Sequence, residues 1–149
     1  INTYRDCIMN RIKLCIIGAC GRLGSTIIKE SIDSFEIVGA VEYPNNPNID
    51  KTLASLGMIE SDVKISSSEY LSSAVTNADV TISATTPESE LLNAPVYVEN
   101  NKKIIIGTTG FSPDEYSQLL SILNNKVPSI LTSNFSIGVV VPIPTLPVI

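Results

Sequence analysis

Histidine and tryptophan are absent from the 149 residues. Histidine is the usual general acid or base near neutral pH and the commonest metal ligand, so its absence disfavours both a histidine-based reaction and a metal centre. The three cysteines, Cys7, Cys15 and Cys20, are odd in number and have no C-x-x-C spacing. They indicate neither a disulfide framework nor a zinc site. We therefore expect no metal ion in this protein.

Basic residues are also scarce: 10 lysines and arginines stand against 15 acidic residues, and they form no cluster. The resulting net charge of -5 disfavours nucleic acid and anionic membranes as partners. No apolar run approaches the ~18 residues that a bilayer span needs, and the first residues lack the pattern of a secretory signal. We expect a cytoplasmic protein with no membrane partner.

The most informative stretch of the chain is residues 13–24, where an apolar run leads through three glycines into apolar residues at helical spacing. It predicts a buried strand, a tight turn and a helix. Gly18 can adopt angles that a side chain forbids, Gly21 lets a pyrophosphate approach, and Gly24 lets the helix pack closely. The helix start offers N–H groups and partial positive charge to phosphates. The alternative is a turn that binds nothing.

A second predicted strand, residues 36–41, ends at Glu42, eighteen residues after Gly24. An acid usually meets the adenosine ribose about 20 residues after such a turn. The Glu42 carboxylate should accept hydrogen bonds from a ribose 2′-hydroxyl and repel a 2′-phosphate, which favours NADH. Arg22 is the nearby residue that could instead turn towards a phosphate.

Further strands are predicted at residues 62–66, 79–84, 103–107 and 129–132, with helices between them. Alternating strands and helices predict an α/β fold with a doubly wound parallel sheet of the Rossmann type. We assign residues 11–138 to this dinucleotide-binding domain and residues 1–10 to an N-terminal extension.

Three local features of this domain carry expectations of their own. A strand order of 3-2-1-4-5 would place Thr85 and Thr86 opposite the glycine turn, although a plain helix start at Pro87 is an equal interpretation. Pro95 should stand in a first turn or break its helix. Cys20 should have a lowered pKa if it is reactive at the helix start; the alternative is a small residue that fills the turn.

Four loops read together resemble one family: GACGRLG at 18–24, AVE ending at Glu42, GTTGF at 107–111 and SNFSIGV at 133–139. Over residues 11–139 the chain is similar to the N-terminal half of 4-hydroxy-tetrahydrodipicolinate reductase, a nicotinamide-dependent enzyme of the diaminopimelate route to lysine. The resemblance implies an oxidoreductase that passes hydride from NADH or NADPH to a small cyclic dicarboxylate.

The resemblance also implies roles for individual residues. The backbone of the glycine turn would hold the pyrophosphate, Glu42 the adenosine ribose, and two later turns the nicotinamide. Thr109 would also touch substrate. The implied cofactor-binding residues are Gly18, Ala19, Cys20, Gly21, Arg22, Leu23, Glu42, Gly107, Thr108, Thr109, Thr132, Ser133, Asn134 and Phe135.

The sequence departs from the family at its end. The family's substrate domain bears an E-x-H-H-x-x-K motif that serves proton transfer, and nothing here matches it, so we assign no catalytic residue. We expect a cofactor-binding half without its C-terminal substrate domain, cut short or altered in reading frame near Gly138, with residues 139–149 as a Pro-rich tail. A natural end, with the tail lying on the sheet, is the alternative.

Because the family forms tetramers chiefly through the substrate domain, a homo-oligomer is expected only when that domain is present. Two other functions stay open. One is a noncatalytic NAD(P)-binding module. The other is an enzyme of the homoserine or semialdehyde dehydrogenase type, which would need a loop different from GTTG after the fifth strand.

Overall fold

All the strands of the sheet run parallel to their neighbours, in the order β3-β2-β1-β4-β5-β6. The computed structural model describes residues 11–132. This order confirms the predicted doubly wound α/β sheet. The expectations for residues 1–10 and 133–149 lie outside the described residues. The strands are β1 (Lys13–Ile17), β2 (Glu36–Glu42), β3 (Ile65–Ser67), β4 (Val80–Ser83), β5 (Lys103–Ile106) and β6 (Ser129–Leu131).

Two of the helices begin after a capping side chain, Thr86 or Ser112. Ser112 and Glu115 form a capping box, as the spacing S-x-x-E indicates, in which each side chain accepts a hydrogen bond from the other residue's backbone N–H. Within residues 11–132, no helix is long and apolar enough to cross a membrane. The helices are α1 (Arg22–Ser31), α2 (Leu71–Val75), which follows a short 3₁₀ turn (Ser68–Tyr70), α3 (Pro87–Glu99) and α4 (Pro113–Leu123).

Pro95 lies inside α3, so the expected interruption of this helix is wrong. A proline in a helix interior gives up one backbone hydrogen bond and crowds the preceding turn. The neighbouring residues Ala94 and Tyr97 are fully buried in the core formed by α3, α4 and the sheet. Their burial favours a continuous helix and outweighs the local penalty of the proline.

The predicted third strand is displaced towards its C-terminal end. Pairing with β2 begins at Ile65 and not at Asp62, while Lys64 forms an antiparallel bridge with Thr52. That bridge belongs to the turns that fill residues 51–57, where Leu53 is buried. The observed β3 is therefore only three residues long.

Two hydrophobic clusters cover the two faces of the sheet. Cys15 and Ile17 of β1 belong to the cluster beneath α2, α3 and α4, whereas Leu14 and Ile16 belong to the cluster that includes Ile28 of α1. This alternation follows from the two-residue period of a strand. Because both faces are covered, the carboxyl ends of the strands are the place where the sheet can meet a ligand.

Thr81 of β4 has an unsatisfied hydroxyl group, from which we predict an effect on stability. Among residues 11–132, its Oγ1 is the one buried side-chain polar atom without a hydrogen-bond partner. A buried hydroxyl that has lost water without gaining a partner destabilises the folded state. Thr81→Val should raise the free energy of unfolding by about 1 kcal/mol, measured by urea denaturation.

Thr81→Ser is the matched control, because it keeps the hydroxyl and removes the buried methyl group. It should lower the free energy of unfolding by about 1 kcal/mol. A loss of stability in Thr81→Val would show that the hydroxyl does find an acceptor.

Candidate functional site

The glycine turn after β1 is held against two neighbouring strands. The N–H groups of Gly18 and Ala19 both donate to the carbonyl oxygen of Val41 in β2, at 2.9 and 3.1 Å. Gly18 has φ +78°, and a Cβ there would collide with the carbonyl oxygen of Ala84, just beyond β4. Only glycine fits this position, because both the backbone angle and the space exclude a side chain.

Gly24 sets the distance between α1 and the turn. A Cβ on this residue would collide with the carbonyl oxygen of Gly18, so the helix packs directly on backbone. Gly21 is different, since its Cβ would lie 3.2 Å from that same oxygen, a tight but less severe contact. The steric requirements predicted for Gly18 and Gly24 are therefore present. Access for a pyrophosphate at Gly21 stays a prediction.

The first turn of α1 has no side-chain cap. Its N-cap is Gly21, and the turn contains no acidic residue. By contrast, α3 and α4 are capped by Thr86 and Ser112 and have acids in their first turns. The N–H groups and the positive end of the helix dipole at α1 are therefore not neutralised by its own side chains, which suits a bound anion.

Glu42 lies at the end of β2 with its carboxylate turned to the glycine turn. Its Oε1 accepts a hydrogen bond from Cys20 N–H at 2.7 Å, and its Oε2 accepts one from Tyr43 N–H at 3.3 Å. The residue is only 8% exposed but lines the cleft described below. A carboxylate offers about four acceptor sites, so a ribose hydroxyl can still donate to it.

A cleft of about 550 Å³ opens between the turns that follow β1, β2 and β4. Its charged lining residues are two acids, Glu42 and Glu69, and one side of it is apolar. Leu92, at 73% exposure, has a largely uncovered side chain on this side. The other lining residues are Ile17, Gly18, Gly21, Tyr43, Pro44, Ser68, Ala84, Thr85, Thr86, Ser89, Asn93 and Val96.

The cleft contains only part of the set expected from the sequence. Gly18, Gly21 and Glu42 line it. Of the others, Ala19, Gly107 and Thr108 are buried, Cys20, Leu23 and Thr132 are half-buried, and Arg22 and Thr109 are exposed. Ser133, Asn134 and Phe135 lie outside the described residues.

Thr85 and Thr86 both line the cleft with the glycine turn, as the strand order predicted. Thr85 Cγ2 would lie 3.2 Å from a Cβ placed on Gly18. Thr86 is also the N-cap of α3, where its hydroxyl accepts a hydrogen bond from Ser89 N–H at 3.3 Å, and Pro87 is the first helical residue. The interpretations of this segment as cleft wall and as helix start are therefore both correct.

Glu90 is the notable residue that the sequence reasoning missed. Its side chain is fully buried, and hydroxyl groups from β4, α3 and the turn after β5 donate to it. The sequence did contain a signal for this burial. Glu90 stands four and seven positions before Ala94 and Tyr97, and residues at these spacings share one helix face. That face is buried, which makes an acid there unusual.

Of the two interpretations of Cys20, the reactive thiol with a lowered pKa is wrong. Burial raises the pKa of this thiol most; the hydrogen bond with Asn48 opposes this, the Glu42 charge raises the pKa further, and Lys51 lowers it by the smallest amount. A raised pKa disfavours the reactive thiolate. Cys20 is best described as a small residue that fills the turn.

Cys15 gives a prediction for the pH dependence of stability. Burial raises the pKa of its thiol from 9.0 to about 12. Below pH 9 the thiol is protonated in both folded and unfolded chains, whereas between pH 9 and 12 only the unfolded chain releases the proton. The free energy of unfolding should therefore fall above pH 9, by up to about 1.4 kcal/mol per pH unit from this group.

Urea denaturation between pH 8 and 11 measures this slope. Cys15→Ala should be less stable at pH 8 because it loses buried volume, but its stability should fall less steeply above pH 9. Tyr97, whose pKa is raised chiefly by burial, is present in both proteins, and the small part of its shift that comes from Cys15 is lost in Cys15→Ala, which flattens the slope further. Equal slopes would contradict the assignment.

The sheet order, the glycine turn after β1 and the acid at the end of β2 together define a Rossmann-type dinucleotide-binding fold. Residues 12–135 match the family model "Dihydrodipicolinate reductase, N-terminus", a region that includes all the described residues except residue 11. The chain belongs to this family, which confirms the resemblance drawn from its four loops.

Curated relatives agree with the family match. The 4-hydroxy-tetrahydrodipicolinate reductase of Methanococcus aeolicus is 30% identical over 135 residues, which cover 86% of this chain and 50% of that protein. The enzyme of the same name from Trichlorobacter lovleyi is 36% identical over 132 residues, covering 86% and 48%. The chain thus spans about half the length of the curated relatives it matches.

A solved structure shares the fold. It is the dipicolinate-bound dihydrodipicolinate reductase from Paenisporosarcina sp. TG-14, with a TM-score of 0.60 and 22% sequence identity. The match covers 84% of this chain and 48% of that one. At this identity the similarity concerns the fold alone.

Proposed function

We propose that residues 11–138 are the cofactor-binding domain of a 4-hydroxy-tetrahydrodipicolinate reductase, which acts in the diaminopimelate route to lysine. The observation that carries the proposal is the joint position of the glycine turn and Glu42 on one cleft, in a member of this family. The domain would hold NADH or NADPH while a small cyclic dicarboxylate is reduced. The bound nicotinamide supplies the hydride.

The adenosine half of the cofactor fits the described cleft. The pyrophosphate would lie over the start of α1, where Gly21 leaves room and the N–H groups of Arg22 and Leu23, in the first turn of the helix, have no intrahelical acceptor. The adenosine ribose would donate hydrogen bonds to Glu42. The adenine ring would lie against the apolar side formed by Leu92 and Val96.

The nicotinamide half would be held by the turn at residues 107–109, together with Thr132 and residues 133–135. Gly107 N–H donates to Ser83 O at 2.8 Å, and the Thr108 hydroxyl donates to Glu90 at 2.7 Å. With these groups engaged inside the protein, the other backbone groups of the turn are the ones suited to the carboxamide.

A preference between the two cofactors follows from the charge of the cleft. Its charged lining residues are the acids Glu42 and Glu69, which repel the 2′-phosphate of NADPH. We expect NADH to bind at least as tightly as NADPH in calorimetric titrations of the 149-residue chain. Glu42→Ala should change the ratio of the two affinities about tenfold in favour of NADPH.

Glu36→Ala is the control for this change, because Glu36 is an exposed acid at the opposite end of β2. It should leave the ratio unchanged. A clear NADPH preference in the unaltered chain would refute the assignment of Glu42, and binding of neither cofactor would refute the proposed function.

The chain by itself should reduce substrate negligibly. Absence of a general acid lowers rates by ~10²-10⁴, and the family's histidine and lysine motif has no counterpart in these 149 residues. We expect substrate-dependent NADH oxidation far below that of the full-length Trichlorobacter lovleyi enzyme assayed in parallel. Ordinary activity in the chain alone would contradict this expectation.

A noncatalytic NAD(P)-binding module is the second candidate, favoured by the absence of histidine. Fusing the C-terminal half of the Trichlorobacter lovleyi enzyme after residue 138 separates the two functions. Recovered reductase activity in the fusion supports the reductase domain. A folded fusion that binds NADH without activity supports the module.

A further inference from the structure

Glu90 accepts hydrogen bonds from four hydroxyl groups inside the protein. Oε2 accepts from Ser83 Oγ at 2.7 Å, Thr85 Oγ1 at 3.0 Å and Thr108 Oγ1 at 2.7 Å. Oε1 accepts from Tyr97 OH at 3.0 Å. With 0% of its surface exposed, the residue has no access to water.

This pattern is specific to an acid. A carboxylate accepts hydrogen bonds at both of its oxygens, and here three of the four donors converge on Oε2 while the fourth meets Oε1. An apolar side chain at position 90 would leave the four hydroxyls without their acceptor, and burial of a carboxylate is costly unless it is fully hydrogen-bonded. Simple filling of the core therefore does not account for Glu90.

The donors come from separate parts of the chain. Ser83 ends β4, Thr85 follows it in the turn before α3, and Thr108 lies in the turn after β5. Thr108 Oγ1 also accepts a hydrogen bond from Thr85 N–H at 2.9 Å. Because its proton is donated to Glu90, the Thr108 hydroxyl is oriented to accept this bond.

The turn after β4 in turn contacts the glycine turn. The carbonyl oxygen of Ala84 fills the space where a Cβ of Gly18 would lie. A continuous set of contacts thus runs from the proposed phosphate-binding turn, through Ala84 and Thr85, to Thr108 in the turn proposed for the nicotinamide. Glu90 accepts hydrogen bonds from both Thr85 and Thr108, so it links the two turns.

We propose that Glu90 is a positioning residue for the nicotinamide end of the cofactor. By accepting the hydroxyl protons of Thr85 and Thr108, it fixes the turn at residues 107–109 relative to the glycine turn. The backbone of that turn is then preorganised for the carboxamide. The inference rests on the proposed function and assigns Glu90 no contact with the cofactor itself.

Glu90→Met tests the proposal with an unbranched side chain of similar length. It removes both carboxylate oxygens, so the hydroxyls of Thr85 and Thr108 lose the acceptor that orients them. Calorimetric titrations of the 149-residue chain with NADH and with ADP-ribose separate the two ends of the site, because ADP-ribose lacks nicotinamide.

Glu90→Met should weaken NADH binding about tenfold while the affinity for ADP-ribose stays within about twofold. Tyr97→Phe is the matched control. It removes a donor to the same carboxylate, but Tyr97 lies on α3 and belongs to neither turn. It should lower the melting temperature and leave both affinities unchanged.

Thr108→Val is the second variant. It keeps Glu90 and removes the hydrogen bond from the turn at residues 107–109 to the Glu90 carboxylate. It should reproduce the selective loss of NADH binding, and it tests the proposal even where Glu90→Met does not fold. Equal weakening of both ligands, or of neither, would overturn the role of Glu90. Failure of the unaltered chain to bind either ligand would instead refute the proposed dinucleotide site.

Discussion

The contact between Gly24 and the carbonyl oxygen of Gly18 is the constraint on which the cleft depends. It brings the backbone of α1 directly against the turn after β1, closer than any side chain would permit. The uncapped start of the helix therefore faces the carboxyl ends of the strands. Hydrogen bonds to Val41 and contact with Ala84 fix the same turn from the two neighbouring strands.

The two ends of the proposed cofactor site are built by different means. At the phosphate end the protein offers backbone groups and a helix dipole, a source of positive charge that suits a chain with a net charge of -5. At the nicotinamide end, hydroxyls and one buried carboxylate organise the turns.

Features with local causes were predictable from the sequence. The apolar run of β1, the glycine spacing and the capping box at Ser112 each depend on a few consecutive residues. The strand order followed from the fold type that these features indicate. Pro95 was misjudged because the burial of Ala94 and Tyr97 outweighs its local effect. Such packing involves elements distant in sequence.

The same reason explains the errors at the site. The pKa of Cys20 is raised by burial and by Glu42, a residue more than twenty positions away. Glu90 was missed because three of its four donors come from outside its helix, and no motif marks their meeting. The residues proposed to bind cofactor through backbone atoms are recognisable chiefly by the turn types they form.

The burial of Cys15 offers a way to observe the motions of this domain. Its thiol lies in the central strand, beneath α2, where a Cβ on Gly39 would lie 2.8 Å from the sulfur and 2.9 Å from Ala74 O. An alkylating reagent can therefore reach this sulfur only when the sheet separates from its helices. The labelling rate of Cys15 consequently reports the opening of the core, while movements confined to the cleft leave it unchanged.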